Sequence, residues 1–220
     1  MNTSPSTSIG SLDFSAALYE SVDRLAAEFG DRYARDTIER MVASSYEQLA
    51  ECARVPTYLP LMTERFARDR LRALAKLEGH HADGLPTVLF LCVHNAGRSQ
   101  MALGFLQAMA GDRVMGWSGG SEPGPSVNPA AVQAMAERGI DIAREYPKPW
   151  TDEIVRAADV VVTMGCGDEC PYAPGARYVD WPLEDPAGQG VAAVRPIAAE
   201  IEQRVRDLLV ELDVRPAPLA

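Results

Sequence analysis

The feature that most constrains the fold of this 220-residue chain is the pattern of its second part. Beyond Pro86, short apolar runs alternate with amphipathic helical stretches. Strands that alternate with helices pair in parallel, because each helix returns the chain across the sheet. We therefore predict an α/β fold with a four-stranded, parallel, doubly wound sheet, whose strands lie at residues 87–91, 114–118, 160–164 and 178–179.

The first part of the chain carries only helical patterns. Apolar residues recur every three or four positions between Asp13 and Gly30, and again over residues 38–49 and 62–77. Such stripes indicate amphipathic helices, and short connections between them favour a bundle. We predict a disordered tail over 1–12, an all-α three-helix bundle over 13–80, a linker over 81–86, and an α/β domain over 87–214.

Composition and charge exclude several classes of protein. The net charge of -10 argues against broad binding to nucleic acid or anionic lipid. The chain has no uninterrupted apolar run of about 18 residues, so we expect no membrane span. The cysteines are too few and too unevenly spaced for a disulfide framework, and no signal peptide precedes them; they are Cys52, Cys92, Cys166 and Cys170. We expect reduced thiols in the cytoplasm.

The strongest local signal is the segment that joins the first predicted strand to its helix. A loop that turns into a helix N-terminus directs backbone amides inward, where the helix dipole adds positive charge. A tetrahedral oxyanion fits such a loop, and Arg98 can bind two of its oxygens. We expect the oxyanion to be bound by Val93, His94, Asn95, Ala96, Gly97, Arg98 and Ser99.

The same loop stabilises an ionised thiol at Cys92. Helix N-termini and neighbouring cations favour the thiolate form, so we expect Cys92 to be a nucleophile that is largely ionised at neutral pH. The structural alternative is a buried, inert Cys92 with Arg98 on the surface. Asn95 either braces the loop through its amide or serves as a turn residue with left-handed dihedral angles. We interpret His94 as a loop residue that donates to the backbone rather than as a catalytic base.

Displacement at a tetrahedral centre expels an oxygen that needs a proton. Asp185 follows the fourth predicted strand, where ligands bind in sheets of this kind, and prolines on both sides stiffen its loop. We predict Asp185 as the acid, with Glu184 as the competing residue. The structural alternative is that both carboxylates are ordinary turn residues.

Two further thiols, Cys166 and Cys170, follow the third predicted strand. Three interpretations compete: a metal site, inert thiols and a redox relay. A zinc site usually takes four ligands, which this sequence does not supply nearby, so we predict no metal. Glycines on both sides of Cys166 favour a mobile backbone, which thiol–disulfide exchange requires. We interpret Cys52 as a packing residue.

Residues 86–212 resemble the arsenate reductases built on the low-molecular-weight tyrosine phosphatase fold, in particular those of actinobacterial type. The motifs are Leu-Cys-Val-His-Asn-Ala-Gly-Arg-Ser-Gln at 91–100, Thr-Met-Gly-Cys-Gly-Asp-Glu-Cys-Pro at 163–171 and Asp-Pro-Ala-Gly at 185–188. The resemblance implies that Cys92 attacks arsenate while Asp185 protonates the departing oxygen. Cys166 then attacks Cys92 and releases arsenite, and Cys170 passes the oxidation to thioredoxin. It implies no bound cofactor.

The resemblance leaves alternatives open. Some actinobacterial relatives use mycothiol as the reductant, and a phosphatase would hydrolyse the Cys92 adduct with water. Relatives that bind potassium carry a glutamate where Leu103 stands, so we predict no potassium site. The helical part resembles an extension of some family members and is a candidate surface for a homodimer.

A basic stripe in the third helical segment allows a hypothesis from a different functional class, that the chain is an arsenic sensor that binds DNA. The stripe consists of Arg65, Arg68, Arg72 and Lys76. Acidic residues interrupt it, so we expect a solvated or subunit-facing surface and no nucleic acid.

Overall fold

A parallel sheet organises the second part of the chain. The computed structural model describes residues 16–51, 58–80, 84–165 and 171–219. Within them, four strands form one sheet in the order β2-β1-β3-β4. They are β1 (Thr87–Cys92), β2 (Met115–Gly120), β3 (Val160–Thr163) and β4 (Arg177–Asp180), and every neighbouring pair is parallel. The predicted four-stranded parallel sheet is confirmed, with bounds that differ by up to two residues.

Helices cover both faces of this sheet. They are α1 (Ala16–Phe29), α2 (Arg35–Ala50), α3 (Leu59–Leu77), α4 (Arg98–Ala110), α5 (Pro129–Ala136), α6 (Asp152–Ala157) and α7 (Val191–Glu211). Alternate residues of β1 point to opposite faces. Val88 and Phe90 pack in one apolar cluster with α4, α5 and α7, whereas Leu89 and Leu91 pack in a second cluster with α6. Burial on both sides is typical of parallel sheets.

The helices of the first part pack together and also cover the second face of the sheet. The stripe of α1 packs on α2 and α3 through residues such as Leu25, Ile38 and Leu71. Phe66 of α3 is fully buried in the cluster that contains Leu89 and Leu91. The helical part therefore shares a core with the α/β part.

The basic side chains of the α3 stripe bind carboxylates of the same chain. The four side chains all make ion pairs with acidic residues of this chain, at 2.6 to 3.2 Å. The partners are Glu145 for Arg65, Glu28 and Glu64 for Arg68, Glu28 for Arg72, and Asp159 for Lys76. Arg72 is exposed, in line with the expected solvated surface, whereas Arg65 and Lys76 join α3 to the α/β part. A subunit contact through this surface stays a prediction.

Several expectations fall on parts of the chain that the structure does not describe. The tail at 1–12, Cys52, and residues 81–83 of the linker lie outside the described residues. The division into domains at 13–80 and 87–214 and the homodimer stay predictions. In the part of the chain that is described, no helix combines the length and apolarity needed to cross a bilayer.

The packing of α3 on the sheet leads to a stability prediction. Phe66→Ala leaves a cavity between α3 and β1, so we expect it to lower the free energy of unfolding by about 3–5 kcal/mol. The matched control is Leu61→Ala on the same helix, because Leu61 is 59% exposed; we expect a change within about 0.5 kcal/mol. Urea denaturation measures both, and equal losses would contradict the packing of α3 described above.

Candidate active site

The loop from Cys92 to Arg98 lies at the carboxyl end of β1, as predicted. Cys92 is the last residue of β1 and is 2% exposed. Its Sγ lies 3.0 Å from the hydroxyl oxygen of Ser99, in the first turn of α4. The Asn95 side-chain amide donates to the same hydroxyl oxygen at 2.8 Å. Since that oxygen accepts from Asn95, its own proton is available to the sulfur, where it stabilises a thiolate.

Asn95 combines both functions that the sequence left open. Its φ of 45° is left-handed, a conformation that asparagine tolerates better than most residues. Its side chain is fully buried, and its Oδ1 accepts hydrogen bonds from the amide of Lys148 at 3.0 Å and from Gln100 Nε2 at 3.1 Å. Asn95 therefore both forms the turn and braces the loop with its side chain.

A second loop, which follows β2, holds the outer side of the first one. The carbonyl oxygens of Val93, His94 and Ala96 accept bonds at 2.8 to 2.9 Å from the amides of Glu122, Gly124 and Asn128. A left-handed residue within a turn directs successive amides to its concave side. We infer that the amides of the first loop face inward, where they can donate to an oxyanion.

Gly120 is required by the close approach of this loop to β2. A Cβ at Gly120 would lie 2.5 Å from the Val93 carbonyl oxygen and 2.9 Å from the Asn95 amide nitrogen. The sequence analysis missed Gly120, as it missed Gln100 and Lys148. The signal for Gly120 is its place in a pair of glycines just beyond the predicted strand at 114–118, since a glycine in or next to a strand often marks a close backbone contact.

Lys148 places a buried cation behind the loop. Its side chain is 3% exposed, and its Nζ donates to the Ser118 hydroxyl at 3.3 Å and lies 4.8 Å from the Tyr146 ring centroid. Burial lowers the pKa of Lys148, and the carboxylates of Asp69 and Glu145 act in the opposite direction. The backbone amide of Lys148 also donates to Asn95, so the segment that carries the buried ammonium group helps to fix the conformation of the loop.

The predicted acid lies beside the predicted oxyanion ligand. Arg98 is 6% exposed, and its Nη2 donates to Asp185 Oδ2 at 2.8 Å. Asp185 lines a small cleft together with Cys92 and Arg98, whereas Glu184 is exposed and does not line it. The geometry thus favours Asp185 over Glu184.

His94 lies at the edge of the same cleft. Its ring Nδ1 is 3.1 Å from the carbonyl oxygen of Glu122. A carbonyl oxygen only accepts, so the ring nitrogen donates, in agreement with the sequence interpretation.

Cys166 and Cys170 lie outside the described residues, and their roles stay predictions. The residue before them is informative: Gly165 has a φ of 76°, and a Cβ there would lie 3.1 Å from Arg98 Nη1. The chain that leads to Cys166 therefore touches the Arg98 guanidinium. In the described ranges, no group of three His, Cys, Asp or Glu residues is arranged to hold a metal ion.

Comparisons with known proteins agree with this geometry. The family model for low molecular weight phosphotyrosine protein phosphatases matches residues 87–216. A second family model, for the N-terminal domain of protein-tyrosine-phosphatase-like proteins, matches residues 18–75. The two matches divide the chain as the sheet and the first three helices do.

Individual relatives are similar over the same regions. The solved structure of a thioredoxin-dependent arsenate reductase from Corynebacterium glutamicum is 42% identical, with a TM-score of 0.79 over 89% of this chain and 96% of that one. A putative arsenate reductase from Halobacterium salinarum is 36% identical over 60% of this chain and 96% of its own length. A glutaredoxin arsenate reductase from Synechocystis is 34% identical over 57% of this chain and 97% of its own.

The contact at Gly120 leads to a binding prediction. Gly120→Ala forces the loop backbone away from β2, at a cost of about 1–3 kcal/mol, so we expect its affinity for inorganic phosphate to fall on the order of tenfold. Gly124→Ala is the matched control, because its Cβ would make ordinary contacts of 3.6 to 3.8 Å with the same loop. Isothermal titration calorimetry measures both variants; undiminished affinity in Gly120→Ala would show that the loop does not depend on this contact.

Proposed function

The chain belongs to the low molecular weight phosphotyrosine protein phosphatase family, and from that premise we propose that it reduces arsenate to arsenite through an adduct on Cys92. The observation that carries the proposal is the convergence of Cys92, Arg98 and Asp185 in one cleft. It is supported by the likeness to the Corynebacterium arsenate reductase, which includes the first three helices as well as the sheet.

The first step is attack on the bound anion. Arg98 and the inward amides of the loop hold arsenate, a tetrahedral oxyanion, at the N-terminus of α4. The Cys92 sulfur, stabilised by the Ser99 hydroxyl, forms a bond to arsenic. A hydroxyl group of the bound arsenate leaves as water after it accepts a proton from the protonated carboxyl group of Asp185, which lies beside Arg98 and therefore beside the anion.

The next steps transfer the electrons. The Cys166 thiolate attacks the sulfur of Cys92, so that an S–S bond forms and the As–S bond breaks. The electron pair of that bond stays on arsenic, which leaves as arsenite, reduced from As(V) to As(III). Cys170 then attacks Cys166 and releases the Cys92 thiolate. The contact between Gly165 and Arg98 supports this sequence, because it brings the chain that precedes Cys166 to the cleft.

We propose thioredoxin as the dithiol that reduces the Cys166–Cys170 disulfide. Tyr172, two residues beyond Cys170, is 80% exposed and stacks on Tyr178 with ring centroids 5.6 Å apart. The Tyr178 hydroxyl donates to the Pro171 carbonyl and accepts from the Ala173 amide, both at 2.8 Å. An anchored, exposed aromatic residue two positions after the last thiol in the sequence supports a protein partner there. Such a relay requires a reducing compartment such as the cytoplasm.

Arsenite release in the presence of thioredoxin, thioredoxin reductase and NADPH tests the proposal. We expect Cys166→Ser to abolish arsenite release, because the adduct then has no thiol to attack it, while slow hydrolysis of an aryl phosphate at Cys92 is retained. Mass mapping of disulfides after one turnover should find a Cys166–Cys170 bond in the unaltered chain.

Other outcomes of this assay separate the alternatives. With mycothiol in place of thioredoxin in the same assay, a mycothiol adduct on arsenic or on Cys92, together with reduction that survives Cys166→Ser, would identify mycothiol as the reductant. Aryl phosphate hydrolysis without any arsenite release would make the chain a phosphatase and overturn the proposed reaction.

The exposed aromatic gives a separate prediction about the partner. Tyr172→Ala removes a contact worth about 1 kcal/mol or more at an interface, so we expect the KM for thioredoxin to rise roughly fivefold or more. The KM for arsenate should not change, since Tyr172 does not line the cleft. Tyr19→Ala is the control, because Tyr19 is an aromatic residue of α1 that is 53% exposed. Equal KM values for thioredoxin in both variants would exclude Tyr172 from the contact.

A further inference from the structure

Asn128 connects the two loops of the cleft. Its backbone amide donates to the Ala96 carbonyl of the oxyanion loop at 2.8 Å. Its side-chain Nδ2 donates to the Pro186 carbonyl, next to Asp185, at 2.9 Å. Its Oδ1 accepts from the amide of Ala130 at 2.8 Å, at the start of α5. One residue thus fixes three segments that are far apart in the sequence.

The turn that carries Asp185 packs on the oxyanion loop through Pro186, which closely approaches Gly97, but it has few other hydrogen bonds to the rest of the molecule. The Ala187 amide and the Gln189 side chain bond to Asp185, but these contacts only shape the turn itself. Among the described residues, the hydrogen bonds that anchor the turn from outside come from Arg98 and Asn128. Arg98 also has to bind the anion. Asn128 is therefore the anchor of this turn that has no part in the reaction itself.

The residue type supports the same conclusion. Serine, threonine and aspartate cap a helix about as well as asparagine. Of these, asparagine alone has an amide group that donates a hydrogen bond while its oxygen accepts at the cap. Capping of α5 alone would not require asparagine, whereas a cap oxygen and a separate donor nitrogen on one short side chain require an amide.

We propose that Asn128 is a positioning residue, which acts by holding the turn of Asp185 over the oxyanion loop so that the carboxyl group can protonate the leaving oxygen. The proposal names no new step in the chemistry. It rests on the proposed function only for the identity of the substrate, because the same acid would serve any tetrahedral oxyanion ester at Cys92.

The test is Asn128→Ser, which keeps the cap and the backbone bond to Ala96 but replaces the amide group that donates to the Pro186 carbonyl with a shorter hydroxyl. We expect kcat to fall on the order of 10- to 100-fold, because a small displacement of an acid is enough for such a loss. The KM should stay within about twofold, since the oxyanion loop is intact.

A double-mutant cycle distinguishes positioning from a merely structural function. If Asn128 acts through Asp185, adding Asn128→Ser to Asp185→Asn should cost nothing further. Additive losses of kcat would overturn the proposal. So would a loss of kcat in Asn128→Ser that is accompanied by a large fall in the melting temperature. Asn128→Asp is the second variant: it keeps the cap and places a negative charge in the cleft, so the KM for the anion should rise as well.

The cycle is measured with arsenate and with an aryl phosphate, so that two kinds of failure are separate. Absence of arsenite release together with an Asn128 effect on aryl phosphate hydrolysis would refute the proposed function alone. An unchanged kcat in Asn128→Ser would refute the present inference alone. A crystal structure of Asn128→Ser gives a result without turnover: we expect the turn of Asp185 to be displaced, and an unchanged Arg98–Asp185 pair at 2.8 Å would overturn the inference.

Discussion

The site depends on the buried side chain of Asn95. Its amide binds the Ser99 hydroxyl that faces Cys92, and its carbonyl oxygen accepts from Lys148 and Gln100. A buried amide left without partners costs about 1–3 kcal/mol, so the fold around it has to supply those donors. They come from the start of α4 and from the segment before α6, which explains why residues distant in sequence fix the conformation of one short loop.

The sheet and the helices of the first part position the oxyanion loop. With both faces covered, β1 is buried up to Cys92, and the thiol lies at its carboxyl end. The second face is completed by α3, whose Arg65 and Lys76 form ion pairs with Glu145 and Asp159. The helical part therefore completes the core of the α/β part. The match of residues 18–75 to the N-terminal domain of protein-tyrosine-phosphatase-like proteins agrees with this packing.

The cleft is assembled from the carboxyl ends of several strands. The oxyanion loop follows β1, the loop that binds its carbonyls follows β2, and the turn of Asp185 follows β4. Arg98 and Asn128 make the links between them. Because each part comes from a different strand, these two links fix the position of the Asp185 carboxyl group relative to the oxyanion loop.

The sequence by itself determined the local features. The strands, the helices and the thiol at the end of β1 followed from apolar periodicity and turn residues, because such patterns report on near neighbours in the chain. Only the tertiary structure decided which distant groups meet: Lys148 and Gly120 against the loop, Asp185 rather than Glu184 beside Arg98, and the basic stripe of α3 against carboxylates of the same chain. Pairing across the fold depends on packing and on the satisfaction of buried polar groups, and neither leaves a periodic signal in one sequence.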